Sequence, residues 1–312
     1  MKEEMRAADR AVHRFEHRAM ATVFEVMIAD EDRKFAEGAA LATFQEIDRL
    51  EQELSRFLPN SDISRISNLP ANGSARIGLD AFQCLQLSAR YWKETNGAFD
   101  VTLGALVDCW IGKNRSILNP TPGEVMQARD RSGMNLLELD ESTLSVRVHN
   151  IVPRIDLGAI GKGYAVDRAV DLLKEWGVTS ALMHGGASSA CAFGDHPKCI
   201  GWPVTLSNPQ DPSEVLENVS LKEKALGGSG IRKGQHIIDP RSGHPVRTRR
   251  AAWVSSESAT KSDAVSTACM VMATEEIRKY VSGQPEVWVM IIEEGLEGEA
   301  GIVLRFGAGS SA

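Results

Sequence analysis

Apolar and polar residues alternate along 21–29 (Ala-Thr-Val-Phe-Glu-Val-Met-Ile-Ala), and the β-branched and aromatic content there predicts a strand with Met20 at its entrance. The period then changes. Ala40, Phe44, Ile47, Leu50 and Leu54 recur at helical spacing with Glu and Arg on the opposite side, which predicts a long amphipathic helix over 35–54, ending before Pro59. Residues 55–68 are crowded with small polar side chains around that proline and read as a loop or short turns. Asp80 is placed to cap a helix with Phe82, Leu85, Ala89 and Trp92 on one face, stopped by Asn96-Gly97. A glycine, an aromatic and a carboxylate follow at once in Gly97-Ala98-Phe99-Asp100, a turn or helix near a pocket. Pro120, Pro122 and Gly123 open a short helix to about Ser132, and 136–148 alternates like a hairpin.

The middle of the chain carries its most informative stretch, residues 155–167. Gly158, Gly161 and Gly163 fall within six residues, Lys162 stands between two of them, and a helix pattern follows through Val166, Ala169, Val170, Leu173 and Trp176 to Gly177. Two readings stay open: an anion site at a helix start, or a tight, closely packed connection. A Walker loop is excluded, since Asp156 occupies the first glycine position and Gly163 replaces the hydroxyl. A strand over 180–184 then runs into Gly185-Gly186-Ala187-Ser188-Ser189, which offers donors to a phosphate or forms a bulge.

A strand over 202–206 precedes Gly227-Gly228-Ser229-Gly230 and the turn-forming run Asp239-Pro240-Arg241-Ser242-Gly243. A helix over 262–273 holds Asp263 in its first turn, with Ser266 and Thr267 on the same face. Three oxygens at that spacing suit a hard cation such as Mg2+, or ordinary capping. Strands over 287–292 and 302–306 close an α+β fold of mixed sheets flanked by helices.

Composition narrows the function. A net charge of -7 and a pI near 5.6 argue against general nucleic-acid or anionic-membrane binding, so any phosphate site must be local. Five scattered cysteines predict no disulfide framework and suit a reducing compartment; Cys191, His196 and Cys199 lack a fourth ligand for zinc and read as a loop with incidental thiols. Residues 1–19 are a charged leader without an apolar run. The reading is therefore one domain over 20–312 in a cytoplasmic protein with no stable membrane insertion.

Eight motifs in order resemble the FAD:protein FMN transferase, or ApbE, family. They are Met20-Ala21-Thr22; Leu54-Ser55-x-Phe57-x-Pro59-x-Ser61; Gly97-Ala98-Phe99-Asp100; Asp156 through Asp167; Gly185-Gly186; Ser229-Gly230; His236-Ile237-Ile238-Asp239-Pro240-x-x-Gly243; and Asp263-Ala264-Val265-Ser266-Thr267-Ala268. The resemblance implies an ApbE-like, T-fold-related architecture. It also implies an enzyme that uses Mg2+, splits FAD, and joins FMN through a phosphodiester to a Thr or Ser of an acceptor protein, releasing AMP.

By motif position, the resemblance implies that Met20, Phe57, Ala98, Phe99, Asp100, Asp156, Lys162, Ser188 and Ser229 line the FAD site. It implies that the Ala159 carbonyl, Asp263 and Thr267 hold the metal, with Ser266 beside them. Attack on a pyrophosphate wants a cation, which Lys162 supplies as electrophilic partner, and a proton acceptor, for which a histidine suits; the resemblance points to His236, the histidine within a family motif, though His236 is equally readable as a phosphate binder or a packing residue. Two alternatives share the site: an FAD pyrophosphatase giving FMN and AMP, and a non-catalytic flavin-binding protein. This chain departs from the family at Gly185–Ser189, where Ala-Ser-Ser follows the glycine pair, and in the short tyrosine-free segment before His236.

Overall fold

The computed structural model describes residues 11–112, 116–231, 236–295 and 301–307. The chain begins with a hairpin of β1 (Val12–Ala19) and β2 (Thr22–Ala29), followed by α1 (Arg33–Leu54), α2 (Asp62–Ser67), β3 (Ser74–Arg76), α3 (Leu79–Glu94), α4 (Gly104–Trp110) and α5 (Pro122–Asp130). Next come β4 (Leu137–Asp140), β5 (Ser145–Val148), α6 (Gly161–Glu175), β6 (Ala181–Gly185), β7 (Ser189–Phe193), β8 (Trp202–Ser207), β9 (Val215–Leu221) and β10 (Lys224–Gly230). It finishes with β11 (Ile238–Asp239), β12 (His244–Pro245), β13 (Arg249–Ser256), α7 (Ala259–Val271), α8 (Thr274–Ser282), β14 (Trp288–Glu293) and β15 (Ile302–Phe306). This is the α+β class expected.

An eight-stranded sheet in the order β1-β2-β6-β7-β10-β13-β14-β15 forms the frame. Its strand pairs are antiparallel, so one face packs α1, α6 and α7 while the other is partly covered by the β8–β9 ribbon. Alternation sorts the side chains. Phe24, Val26 and Ile28 enter the helix-side core, and Met27 and Ala29 turn to the ribbon side with Trp202 and Leu206. Each such burial contributes about 1.5–3 kcal/mol for a large aliphatic or aromatic group.

Several boundaries move. Residues 12–19, expected in a charged leader, form the edge strand β1; residues 1–10 of that leader lie outside the described residues. The 55–68 loop contains α2, capped by Ser61, whose hydroxyl accepts from Ser64 N. Gly78, not Asp80, is the N-cap of α3. Gly161, Lys162 and Gly163 are themselves the first turn of α6, and α7 starts three residues earlier than expected, which puts Asp263 in its second turn. α7 is buried on nearly all sides, so it is a central helix rather than an amphipathic surface one. Among the described residues no helix is long and apolar enough to cross a membrane.

Candidate functional site

Strand register gathers four strand segments at one end of the sheet. Phe24 lies opposite Gly185, Gly185 opposite Ser189, and Ser189 opposite Gly227. The start of β2, the end of β6, the start of β7 and the glycines of β10 therefore form one row. Met20 and Ala21 make the two-residue turn between β1 and β2, both with positive φ (48° and 57°), the geometry that matches strand twist. Thr22 abuts Gly186, where a Cβ would fall 2.5 Å from the threonine hydroxyl.

Across this row lies α7. Asp263 is only 4% exposed, yet its carboxylate accepts from the Ser189 hydroxyl at 2.7 and 2.8 Å and from the Gly163 amide at 2.8 Å. The Lys162 ammonium stands 3.9 Å away. Burial pushes the Asp263 carboxyl up to about 6, against the pull of Lys162, the Ser189 hydroxyl and the Gly163 amide; the charge of Asp167 adds to the upward push. One turn on, the Ser229 hydroxyl lies 2.8 Å from Thr267 Oγ1 and 2.9 Å from Ser266 Oγ. Ser266 is wholly buried, and its hydroxyl donates to the Asp263 carbonyl at 2.9 Å.

The glycines explain how these groups come so close. A Cβ on Gly163 would sit 2.3 Å from the Ala259 carbonyl oxygen, and one on Gly227 would sit 2.2 Å from the Ser262 carbonyl carbon. α6 and β10 thus grip α7 backbone to backbone. Of the two readings left open for this stretch, Gly163 shows the close packing, against a helix. A further consequence falls on Ala159. The Gly163 amide donates to Asp263 instead of back along its own chain, and among the described residues no hydrogen bond reaches the Ala159 carbonyl that a regular turn would use.

A second group adjoins the first through the turn before α6. Lys162 donates to the Gly158 carbonyl at 3.2 Å, and Asp156 accepts from the Gly158 amide at 2.8 Å. Arg56 approaches Asp156 at 3.4 Å and Asp108 at 3.3 Å, with its guanidinium 4.9 Å from the centre of the Phe57 ring. Phe57 is 80% exposed. The Asp156 amide donates to the Val101 carbonyl, which docks the Gly97–Asp100 segment alongside.

In that segment the Ala98 and Phe99 side chains are core residues, Phe99 set edge-on to Tyr91 at 6.5 Å, so any ligand contact they make must come from backbone. Asp100 is buried, accepts from the Thr102 amide and hydroxyl at 2.7 and 2.6 Å, and lines a cleft of about 250 Å3 with Trp92, Arg129 and Arg241. Burial pushes its carboxyl above the usual range.

The remaining expected residues are less tightly drawn in. Ser188 is half-buried, and its carbonyl accepts from the Gly228 amide; its neighbour Ser189 is the one that reaches Asp263. Ser188 ends the turn before β7 and Ser189 begins the strand, a difference that motif matching alone passes over. His236 is exposed in the run leading to β11, and 232–235 of the segment before it lie outside the described residues. Cys199 Sγ is 3.7 Å from His196 Nδ1 and Cys191 is buried in β7; among the described residues no three His, Cys, Asp or Glu converge on a point.

The ApbE family model matches residues 20–291. The chain is 24% identical to the FAD:protein FMN transferase of Salmonella typhimurium, over 94% of this chain and 87% of that one. It is 29% identical to the enzyme of the same name from Treponema pallidum, over 85% and 81%. Among solved structures, the apo form of the Pseudomonas stutzeri flavinyl transferase ApbE superposes with a TM-score of 0.83 at 24% identity, covering 96% of this chain and 98% of that one. The Thermotoga maritima ApbE protein gives 0.84 at 24% identity, covering 95% and 97%.

Proposed function

The chain belongs to the ApbE family, and from that premise we propose that it transfers FMN from FAD to a Thr or Ser hydroxyl of an acceptor protein through a phosphodiester, releasing AMP. The observation that carries the reading is the opposition of Lys162 and Asp263, 3.9 Å apart across α6 and α7, with Thr267 one turn beyond.

The donors present fit a hard cation. Asp263 carboxylate, Thr267 hydroxyl and the released Ala159 carbonyl are all oxygens with one charge among them, which matches Mg2+, an ion that binds through one or two carboxylates, waters and substrate phosphates. When bound there, Mg2+ would neutralise pyrophosphate charge and ease departure of AMP. Ser266, expected among the ligands, serves instead as the inner anchor of Ser229 and of the Asp263 backbone.

The rest is work for side chains. Lys162 offers a positive charge to the diphosphate, and Asp156, tied to Arg56 beside exposed Phe57, marks the flavin-nucleotide side with Met20, Ser188, Ser229 and the backbone of 98–100. The acceptor hydroxyl oxygen bonds to the FMN phosphorus, and the bond from that phosphorus to the bridging oxygen breaks. AMP leaves with the electron pair, and the hydroxyl proton passes to His236. All five cysteines are free, which suits a reducing compartment, and we place the reaction in the cytoplasm within one domain.

The test is to incubate the protein with FAD and Mg2+, with and without an acceptor protein, and follow AMP, FMN and covalent flavin. AMP with covalent flavin supports the transferase; AMP with free FMN in both arms means a pyrophosphatase, and FAD retained intact means a carrier. His236→Ala is expected to lower turnover about 100-fold or more with FAD binding unchanged. Unchanged turnover would remove His236 from the reaction.

A further inference from the structure

α6 presents two residues to α7, one turn apart on the same face: Gly163 and Asp167. Gly163 reaches Asp263, as described above. Asp167 reaches the start of the helix. Its Oδ1 accepts from the Ala259 amide at 2.8 Å, and its Oδ2 accepts from the Ser258 hydroxyl at 2.7 Å, the Thr260 amide at 2.9 Å and the Thr260 hydroxyl at 2.5 Å. Ser258 is in turn the N-cap of α7, its hydroxyl accepting from Lys261 N at 3.2 Å.

We propose that Asp167 is a positioning residue for the reaction above: by holding the first turn of α7 against α6, it fixes where Asp263 and Thr267 present their oxygens. The inference rests on that reading of the site. A helix start leaves amides without intrahelical partners, and a carboxylate from a neighbouring helix satisfies them while meeting the positive end of the dipole. Four donors converging on one carboxylate leave α7 little freedom to slide or rotate at that end. Asp263 lies within a turn of this anchor, so a shift there moves it relative to Lys162 and the Ala159 carbonyl. Asp167 itself has no place among the reacting groups, because its oxygens are engaged by α7.

Asp167→Asn preserves shape but replaces one acceptor oxygen by an NH2 that confronts donors. It is expected to raise the Mg2+ concentration for half-maximal effect by about 10- to 100-fold, the range for removing a partner that orients a metal ligand. The effect is read twice: in AMP release from FAD, and in the Mg2+-dependent rise of the melting temperature of the full chain with FAD present. Thr260→Val removes one hydroxyl donor and keeps the backbone ones, so it should give a smaller shift in the same direction. Thr260→Ser, which retains the hydroxyl, should restore the wild-type value.

Val26→Ala, in the core of β2, serves as a control that lowers melting temperature without moving the Mg2+ response. Wild-type Mg2+ half-effects in Asp167→Asn overturn the proposal; should that variant not fold, a wild-type half-effect in Thr260→Val does the same. A wild-type chain that neither releases AMP nor responds to Mg2+ overturns the reaction first, and this inference with it.

Discussion

Asp263→Asn is expected to make the metal-free protein more stable above neutral pH while abolishing its activity. The folded chain raises the Asp263 carboxyl from 3.8 to about 6, with burial as the main cause. A raised carboxyl binds its proton more tightly in the folded state, so its contribution to stability is fully present below the unfolded value near 4. That contribution is lost as pH rises through about 6. At about 1.36 kcal/mol per unit, the two-unit rise means that ionised Asp263 costs the metal-free fold about 3 kcal/mol at pH 8.

Asparagine removes that cost, which is already net of the attraction of Lys162, but turns an NH2 toward the Ser189 hydroxyl or the Gly163 amide, a penalty of about 1–2 kcal/mol. The net gain is about 1–2 kcal/mol. With an unfolding entropy of about 2.1 cal/mol/K per residue, this is a rise of about 2–3 °C in melting temperature. Calorimetry in EDTA at pH 8 and pH 4.5 reads it, and the gain should vanish or reverse at the lower pH, where wild-type Asp263 keeps its proton. With FAD and Mg2+ present the order should invert, because the carboxylate then has a cation. AMP release should fall about 100-fold or more. A variant less stable than wild type at pH 8 without metal would refute the burial argument, and one that retained full activity would refute the metal assignment.

Gly163→Ala places a methyl 2.3 Å from the Ala259 carbonyl oxygen and must push α7 from α6; a loss of about 2–3 kcal/mol in denaturant unfolding is expected, together with loss of AMP release. Ala21→Gly relieves a residue held at φ 57° in the β1–β2 turn and should stabilise by about 0.5–1 kcal/mol, seen as a higher denaturation midpoint with unchanged slope.

How far the sequence reveals this fold depends on which force shapes each element. α1 is legible because its core face repeats: Ala40, Phe44, Ile47, Leu50 and Leu54 are all buried, and Asp32 caps its start by accepting from Lys34 N at 3.0 Å. β1 is not. Its residues, Val-His-Arg-Phe-Glu-His-Arg-Ala, alternate in a strand whose outer edge and outer face meet solvent, so charges that look like a leader are what an edge strand tolerates. α7 defeats periodicity for the opposite reason. Burial on nearly every side leaves no polar face to mark its phase or its first turn.

The site divides along the same line. Lys162, Asp263 and Thr267 are legible as residue types suited to phosphate and metal chemistry, and the structure brings the first two within 3.9 Å. Ser189 and Asp167 are not, because what they do lies in partners 74 and 91 residues away. The glycines stay ambiguous for a more general reason. A glycine that lets a phosphate approach and one that lets a helix approach meet the same requirement, the absence of a Cβ, so the local sequence cannot separate them. Gly163 and Gly227 answer to the backbone of α7. In the reaction proposed, the glycine-rich stretch would serve the chemistry indirectly: by admitting α7 so closely, it turns the Gly163 amide onto Asp263 and leaves the Ala159 carbonyl to a ligand, two changes that a methyl at residue 163 would undo together.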